Sequence, residues 1–436
     1  MLPAIRREDA DYGKSNAGGG ERVQVEFVSA NPTGLLHMGN ARGGALGDTL
    51  AAVLNEAGYV CDKEYYINDA GNQVENLGKS VEARYFELLG RDDYQIPEDG
   101  YHGKDIIATA QRLLDEKGES LVDLPEAERR ELMKNYALKE KVAGIRGSLE
   151  NFGVVFDNWF SEQSLHDAGS VHEVVDILRE KGVVYEKDGA QWLRATDWGE
   201  EKDEVLVRSN GTPTYFAADI AYHRDKFERG YKRLINIWGA DHHGHVARLK
   251  GAMTALGYPG DDITVILMQL VRLYRGGEIV KMSKRSGKYV TLDELIEEVG
   301  KEAARFSSSC AARILPSILT STSPRPNPAT TQSIMCSTPT RASAAFSPSL
   351  AWRRQRPLTS IFLCSQRKTS ACSSASSPNG RRRSPTLPAS SRHTISPIMP
   401  RNWPNAFHSF YNSCKVLTDD AALRDARLEL VDCTRI

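Results

Sequence analysis

The stretch that most constrains the fold is a short apolar strand followed by a glycine-rich turn and a helix. Residues 23–28 read VQVEFV, residues 31–40 read NPTGLLHMGN, and a helical pattern covers residues 45–57. A strand that enters a helix through such a turn leaves backbone N–H groups unpaired at the start of the helix, and these groups suit a phosphate. The pattern therefore predicts an anion-binding turn in an α/β protein.

His37 and Asn40 lie three residues apart on the far side of this turn. An imidazole and a carboxamide can both donate hydrogen bonds to the oxygens of a triphosphate. Four glycines keep larger side chains away from such a ligand: Gly34, Gly39, Gly43 and Gly44. Taken alone, such a turn is more often an ordinary strand-to-helix connection with a surface histidine.

A second stretch, residues 276–288, reads GGEIVKMSKRSGK and follows an apolar segment at residues 264–270. Four cations fall within eight residues of it: Lys281, Lys284, Arg285 and Lys288. Mobile ammonium groups on such a loop can stabilise negative charge that moves onto pyrophosphate. Basic loops are usually only solvated, but the order Lys-Met-Ser-Lys is specific.

The coarse pattern between residues 20 and 300 is α/β. Strands are predicted at residues 23–28, 65–67, 234–238 and 264–270, and helices at residues 45–57, 74–89, 106–116, 126–151 and 171–181. A helical block at about 74–182 separates the first strands from the last. We therefore predict a sheet interrupted by an inserted helical region.

Charge is distributed very unevenly along the chain, although the net charge is only −1. Residues 1–302 carry 38 basic and 52 acidic side chains, whereas residues 303–418 carry 15 basic and no acidic ones. At the frequency of the first part, about twenty acids would be expected in the second. Residues 307–400 also hold 22 serines and 12 of the 19 prolines, with no helical or strand period.

Two interpretations fit residues 306–405. One is a disordered Ser/Pro/Arg-rich tail that binds nucleic acid through the arginines at 381–383, but scattered apolar residues such as Trp352 and Phe362 argue against it. The other, which we prefer, is translation out of frame. The residues Ser-Ser-Ser-Cys at 307–310 are what codons for Phe-Phe-Phe-Met spell when read one nucleotide late. Ordinary protein text returns near Phe407, and acids return at Asp419.

Composition also excludes some classes of protein. No apolar run approaches the roughly 18 residues of a membrane span, and the charged start MLPAIRREDADYG does not resemble a signal peptide. The seven cysteines show no CxxC spacing, so reduced thiols are expected rather than disulfides or a zinc site. A soluble cytoplasmic protein is the expectation.

Two motifs resemble the signatures of class I aminoacyl-tRNA synthetases: Lys-Met-Ser-Lys at 281–284 and His-Met-Gly-Asn at 37–40, where Asn40 replaces the final His of the family motif. Longer stretches resemble arginyl-tRNA synthetases: VEFVSANPTG (25–34), EYYINDAGNQ (64–73), RSNGTPTYFAADIAYH (208–223), WGADHHGH (238–245) and VKMSKRSGKYVTLDEL (280–295). The resemblance is continuous from about Tyr12 to Phe306.

The resemblance implies an arginine–tRNA ligase. MgATP would activate L-arginine to arginyl-adenylate, and arginine would then pass to tRNA(Arg). It also implies four regions: residues 1–20, a remnant of an N-terminal tRNA-binding domain or linker; 21–305, a Rossmann-like catalytic domain with the helical insertion; 306–405, the out-of-frame segment; and 406–436, a remnant of a helical anticodon-binding domain. Because both tRNA-binding ends look incomplete, we expect the chain to be inactive as written. As a separate expectation, the protein is a monomer.

The same resemblance assigns the site residues. The catalytic residues are His37, Asn40, Lys281 and Lys284. The ATP-binding residues are these four together with Gly34, Gly39, Gly239, Asp241, Met282 and Ser283. The arginine-binding residues are Glu26, Ser29, Asn31, Tyr215 and Asp219. Within an apolar strand, Glu26 can alternatively be paired with a structural Arg or Lys. No metal site is expected, because no cysteine or carboxylate cluster completes a ligand set with His242, His243 and His245.

Two other functions stay open at this stage. One is a different nucleotidyltransferase of the same α/β superfamily that uses a related pair of motifs. The other is a non-catalytic RNA-binding protein whose basic part is residues 303–418. Pyrophosphate exchange across amino acids separates the first from arginine–tRNA ligase, and resequencing of the basic segment tests the second.

Overall fold

The computed structural model describes residues 2–91, 93–269, 271–275, 278–279, 290–310, 317–321 and 420–435. Two compact units are present. The larger comprises residues 14–324, and the smaller comprises residues 1–13 together with 325–436. Each unit is described by itself below.

The described residues of the larger unit contain eleven strands. They are β1 (Arg22–Glu26), β2 (Val60–Ile67), β3 (Asn158–Ser161), β4 (Val184–Lys187), β5 (Ala190–Leu193), β6 (Glu204–Val207), β7 (Arg233–Gly239), β8 (Ile263–Met268), β9 (Val271–Arg275), β10 (Glu278–Ile279) and β11 (Ser317–Ser321). Five of them form a parallel sheet in the order β3-β2-β1-β7-β8. The four predicted strands correspond to β1, β2, β7 and β8, so the predicted α/β class is confirmed.

The helices of the same unit connect and cover these strands. They are α2 (Met38–Glu56), α3 (Asn72–Leu88), α4 (Lys104–Lys117), α5 (Glu126–Asn151), α6 (Glu162–Asp167), α7 (Ser170–Glu180), α8 (Tyr215–Glu228), α9 (Val246–Leu256), α10 (Leu292–Val299) and α11 (Lys301–Cys310). The helix predicted at 45–57 begins seven residues earlier than expected, at Met38. The helix starts there because His37 serves as its N-cap, so part of the glycine-rich stretch lies inside α2 rather than in the turn.

The predicted helical insertion at about 74–182 needs correction at its C-terminal end. Strand β3 lies inside that range and pairs in parallel with β2, which makes it the edge of the central sheet. The four residues of β3 have mixed polarity and are too few to show the alternating pattern that distinguishes a strand from a loop in a sequence. The antiparallel sheet β4-β5-β6 that follows was also not predicted, because its strands are equally short.

Apolar clusters cover both faces of the central sheet, as is usual for parallel sheets. Val23 and Val25 of β1 belong to the cluster that α2 and α5 cover. The cluster on α8 and α9 includes Leu234 of β7 and Ile263 of β8. A third cluster holds α3, α4 and α5 together in the inserted region. Gln24 and Glu26, which alternate with Val23 and Val25 along β1, are polar yet buried.

The smaller unit has two described helices, α1 (Leu2–Glu8) and α12 (Ala421–Arg435). The guanidinium of Arg6 donates two hydrogen bonds of 2.8 Å to the Glu429 carboxylate. Across all the described ranges, no helix combines the length and the apolar character needed to cross a bilayer.

Candidate active site

The central sheet has a switch point between β1 and β7. These strands are neighbours, but β1 also pairs with β2 on one side and β7 with β8 on the other. Ligands of open parallel sheets bind in the crevice at the carboxyl ends of the strands at such a point. Asn31 and His37 follow the carboxyl end of β1, whereas Gly239 ends β7 and Asp241 lies two residues beyond it. The predicted residues of both strands therefore lie at one edge of the sheet.

The chain leaves β1 through two residues with left-handed backbone conformations. Val28 has a φ of 67° and Ser29 a φ of 36°. Non-glycine residues rarely adopt such angles, and each costs about 1–3 kcal/mol. The Ser29 hydroxyl donates to Glu26 Oε1 at 3.0 Å and accepts from the backbone N–H of Tyr66 at 3.2 Å. Ser29 thus holds the strained turn to both β1 and β2.

His37 and Asn40 are brought together at the N-terminus of α2. The backbone N–H of His37 donates to Asn40 Oδ1 at 3.1 Å. The Asn40 oxygen therefore has a structural role, while its amide N–H₂ is the group that can donate to a ligand. A Cβ added at Gly39 would lie 2.8 Å from His37 Nδ1, so glycine leaves room for the imidazole. Gly34 is buried in the turn that precedes them.

Residues 290–292 are hydrogen bonded to the segment around His37. The N–H of Met38 donates to the Val290 carbonyl at 3.0 Å, and the N–H of Leu292 donates to the Leu36 carbonyl at 2.9 Å. Four predicted residues, six to nine positions before Val290, lie outside the described residues: Lys281, Met282, Ser283 and Lys284. The chain that continues from them is thus anchored beside the first motif.

Gly239 and Asp241 lie at the start of the short 3-10 helix Ala240–His245, which follows β7. Gly239 occupies its N-cap, and the Asp241 side chain is 76% exposed. An exposed carboxylate at the carboxyl end of β7 is free to accept hydrogen bonds from hydroxyl groups of a ligand. The role of Asp241 toward the ribose hydroxyls stays a prediction.

Tyr215 and Asp219 occupy successive turns at the start of α8, as their four-residue spacing predicts. Tyr215 is half exposed, and its hydroxyl would lie 3.5 Å from a Cβ added at Gly71, just beyond β2. Asp219 Oδ2 lies 2.7 Å from His245 Nε2. Tyr215 therefore borders the chain beyond the end of β2, and Asp219 contacts the short helix that follows β7.

Glu26 is paired with a cation that sequence analysis did not identify. Its Oε2 accepts a hydrogen bond of 2.7 Å from Lys226 Nζ, and the Lys226 side chain has no exposure. The sequence analysis considered a structural Arg or Lys as the partner of Glu26, and Lys226 is that partner. Its predicted role toward arginine stays a prediction, since an ionised carboxylate has further acceptor sites.

Lys226 continues into a buried network. Lys226 Nζ also donates to Asn236 Oδ1 at 3.1 Å, and Asn236 Nδ2 lies 2.7 Å from His223 Nε2. His223 Nδ1 contacts the backbone carbonyl of Asp219 at 2.7 Å. Burial, with the Lys226 charge adding to it, lowers the pKa of His223 well below its usual value. A polar spacing of three to four residues along α8, from Asp219 through His223 to Lys226, is the signal that could have revealed this face.

A second residue missed from the sequence is Glu162, at the first position of α6. It is buried and hydrogen bonded to Tyr66, and the Asn68 amide reaches its Oε2 at 3.1 Å in the orientation that satisfies both amide atoms. Burial raises the pKa of Glu162 to about 7, with the negative charges of Asp219 and Asp69 adding to the effect. The carboxylates of Glu162, Asp219 and Asp69 are thus close enough to affect one another, and Asp219 is one of the predicted arginine-binding residues.

No group of three or more His, Cys, Asp or Glu side chains within the described part of the chain is placed to hold a metal ion.

Asn31, the remaining predicted arginine ligand, donates from Nδ2 to Gln73 Oε1 at 2.7 Å.

A parallel sheet with an anchored His-Met-Gly-Asn turn at its switch point defines the catalytic domain of a class I aminoacyl-tRNA synthetase. The family described as "tRNA synthetases class I (R), catalytic domain" matches residues 2–315, and the "DALR anticodon binding domain" family matches residues 403–436. The chain belongs to the arginyl-tRNA synthetase family.

Named relatives agree with this assignment. An arginine–tRNA ligase from Heliobacterium modesticaldum is 49% identical over 471 residues, covering 100% of this chain and 78% of the relative. One from Carboxydothermus hydrogenoformans is 62% identical over 306 residues, covering 70% of this chain and 55% of the relative. A crystal structure described as an arginyl-tRNA synthetase from Campylobacter jejuni superposes with a TM-score of 0.79 at 28% identity, covering 100% of this chain and 94% of that one.

Proposed function

We propose that this protein is an arginine–tRNA ligase whose catalytic site lies at the β1–β7 switch point. The observation that supports the proposal is the pairing of residues 290–292, which begin six residues after Lys284, with the segment around His37 beyond the carboxyl end of β1. A carboxylate–tyrosine pair on α8 supplies the chemistry that a guanidinium requires.

In the activation step, the arginine carboxylate attacks the α-phosphorus of MgATP. A carboxylate–phosphorus bond forms, the bond to the bridging oxygen breaks, and pyrophosphate leaves with the electron pair. Such chemistry depends on positioning and charge stabilisation more than on a protein base. His37 and Asn40 would donate to the phosphates at the positive end of α2, and Lys281 and Lys284 would stabilise the leaving pyrophosphate.

Several further residues complete the nucleotide site. Gly34 and Gly39 would let the backbone approach the phosphates, and Gly239 and Asp241 would hold the adenosine, with Asp241 on the ribose hydroxyls. Met282 and Ser283 would contribute to the nucleotide site from the second motif. Mg²⁺ would accompany ATP as part of the substrate.

The arginine side chain would lie against α8. Asp219 would accept two N–H bonds of the guanidinium, with Tyr215 beside it. Glu26, Ser29 and Asn31 would hold the substrate from the β1 side, where Ser29 and Glu26 are already hydrogen bonded. In the second step a hydroxyl of the terminal adenosine of tRNA(Arg) would attack the arginyl carbonyl, and AMP would leave.

The experiment is a comparison of L-arginine with L-citrulline, whose side chain has nearly the same shape but carries no positive charge. Titration calorimetry on the full chain should detect arginine and not citrulline. ATP–pyrophosphate exchange with tRNA present should be stimulated by arginine among the twenty amino acids, in a version with residues 306–405 restored to frame. Exchange stimulated by another amino acid would support a different nucleotidyltransferase.

We also propose that residues 306–405 are translated out of frame between catalytic and anticodon-binding parts. Relatives from Desulforudis audaxviator and Carboxydothermus hydrogenoformans match over 306 residues, 70% of this chain, at 61% and 62% identity. The anticodon-binding match begins only at residue 403. Sequencing of the gene should show an uninterrupted, acid-containing text in the neighbouring frame, and a stop codon there would refute the idea.

The chain as written would then lack in-frame sequence between its catalytic and anticodon-binding parts. Residues 1–302 carry a net charge of −14, which disfavours a polyanion such as tRNA. We infer that it binds arginine but does not support measurable arginylation, acts as a monomer and is cytoplasmic. Robust charging of tRNA by the purified chain would contradict the inference that it does not support arginylation.

A further inference from the structure

We propose that His245 is a positioning residue that orients Asp219 for the guanidinium of the substrate. The inference rests on the proposed function, because it needs Asp219 to be the arginine-binding carboxylate. It adds a residue from the nucleotide side of the site, at the end of the Ala240–His245 helix, to the machinery that selects the amino acid.

The hydrogen bonds around His245 have a single possible direction. Arg248 Nε lies 3.1 Å from His245 Nδ1, and a guanidinium can only donate. Nδ1 is therefore the acceptor, and the imidazole proton resides on Nε2. That N–H donates to Asp219 Oδ2 at 2.7 Å. The chain of bonds thus fixes a neutral imidazole with one tautomer.

Arg248 is itself held in place. Its Nη1 donates to the Glu204 carboxylate of β6, and its guanidinium lies 5.6 Å from the centre of the Phe216 ring. Glu204, Arg248, His245 and Asp219 consequently form a relay that begins on the antiparallel sheet and ends in the proposed arginine pocket. Since an acidic residue anchors the far end, Arg248 remains oriented toward His245.

Packing also fixes the plane of the imidazole. The His245 ring lies 5.2 Å from the Phe216 ring at 74° and 5.5 Å from the Trp238 ring at 51°. The His245 side chain is 13% exposed, compared with 60% for His242 of the same short helix. His245 is thus enclosed and oriented, whereas His242 is open to solvent.

The chemistry of the partner explains why a histidine suits this position. Glu26 is ion-paired with Lys226, which offsets part of its charge. A neutral imidazole instead holds Asp219 Oδ2 by a hydrogen bond and leaves the carboxylate charge in place. The Asp219 side chain is 32% exposed, so its other oxygen and the remaining lone pair of Oδ2 can both accept from a guanidinium. His245 therefore aims the carboxylate without cancelling it.

A purely structural role is the competing explanation, since His245 also joins α8 to the end of β7. That role predicts lower stability for any replacement and an unchanged affinity for arginine in variants that stay folded. A positioning role predicts that affinity returns when a donor is restored at the place of Nε2. Glutamine can supply such a donor, whereas phenylalanine keeps the ring packing and supplies none.

The experiment uses the full chain and four variants: His245→Phe, His245→Gln, Arg248→Met and Asp219→Asn. Titration calorimetry gives the Kd for L-arginine and, as a control, for ATP, and thermal melts report folding. We expect at least a tenfold weaker arginine Kd for His245→Phe, within threefold of the parent for His245→Gln, and no change in the ATP Kd. Nitrogen NMR with labelled histidine should show the Nε2–H tautomer of His245 in the parent and a tautomer mixture in Arg248→Met.

The outcomes distinguish failure of the His245 inference from failure of the proposed function. If Asp219→Asn weakens arginine binding but His245→Phe does not, the inference is wrong and the proposed function stands. Equal loss in His245→Phe and His245→Gln, or an Nδ1–H tautomer in the parent, also overturns the inference. If the parent chain does not bind arginine, the proposed function fails and the inference fails with it.

Discussion

Lys226 Nζ lies 2.7 Å from Glu26 Oε2 in the interior of the larger unit, although the two residues are 200 positions apart in the chain. The pair connects the central strand β1 to α8, the helix that carries Tyr215 and Asp219. Buried ion pairs of this kind add little net stability, yet removal of one partner is costly because the other charge stays buried.

The first prediction concerns this pair. Lys226→Met should lower the free energy of unfolding by about 3–5 kcal/mol, because it leaves Glu26 as an uncompensated buried charge. Adding Glu26→Gln to it should recover part of the loss, which a double-mutant cycle in urea measures. As a control, Arg233→Met breaks an exposed pair with Glu21 and should change stability by about 0.5 kcal/mol or less. Equal losses in the two single variants would refute the prediction.

The second prediction concerns the packing of α2 on Phe27, the residue that directly follows β1. A Cβ added at Gly47 would lie 2.2–2.5 Å from ring atoms of Phe27, which is buried. Gly47→Ala should therefore destabilise the protein by about 1–3 kcal/mol through overpacking, despite the higher helix propensity of alanine. In α5, an added Cβ at Gly144 meets nothing within 4 Å, so Gly144→Ala should stabilise by about 0.5–1 kcal/mol. Chemical unfolding should therefore give a lower free energy of unfolding for Gly47→Ala and a higher one for Gly144→Ala, and changes of the same sign would contradict the prediction.

Local patterns predicted much of this fold and site. The strand, turn and helix at residues 23–57 are neighbours in sequence, and so are Tyr215 and Asp219, so their arrangement follows from chain geometry alone. Lys226 was missed as the partner of Glu26 because sheet order, rather than spacing along the chain, brings α8 onto β1. The same reason applies to His245, whose contact with Asp219 joins the end of β7 to α8.

The third prediction concerns pH. The pKa of Glu162 is raised to about 7 from a usual 4.5, chiefly by burial, so the folded protein binds this proton more tightly than the unfolded chain does. Stability should consequently fall as pH rises from about 4.5 to about 7, and the loss should be complete above that. The contribution is about 3 kcal/mol at most, at 1.36 kcal/mol per unit. Glu162→Gln should flatten this dependence in unfolding curves at pH 5 and pH 8, and an unchanged difference would exclude Glu162 as its source.

The last prediction separates substrate binding from the chemical step, in a version with residues 306–405 restored to frame. Asp219→Asn keeps the size and one acceptor oxygen but removes the charge that pairs with guanidinium, and such losses cost about 2–5 kcal/mol. The loss should appear mainly as a raised KM for arginine. Lys284→Ala should instead lower kcat with little change in that KM, because its proposed partner is charge that develops on pyrophosphate in the transition state. If Asp219→Asn leaves the arginine KM within about twofold of the parent, a difference near 0.4 kcal/mol, Asp219 is not the guanidinium partner.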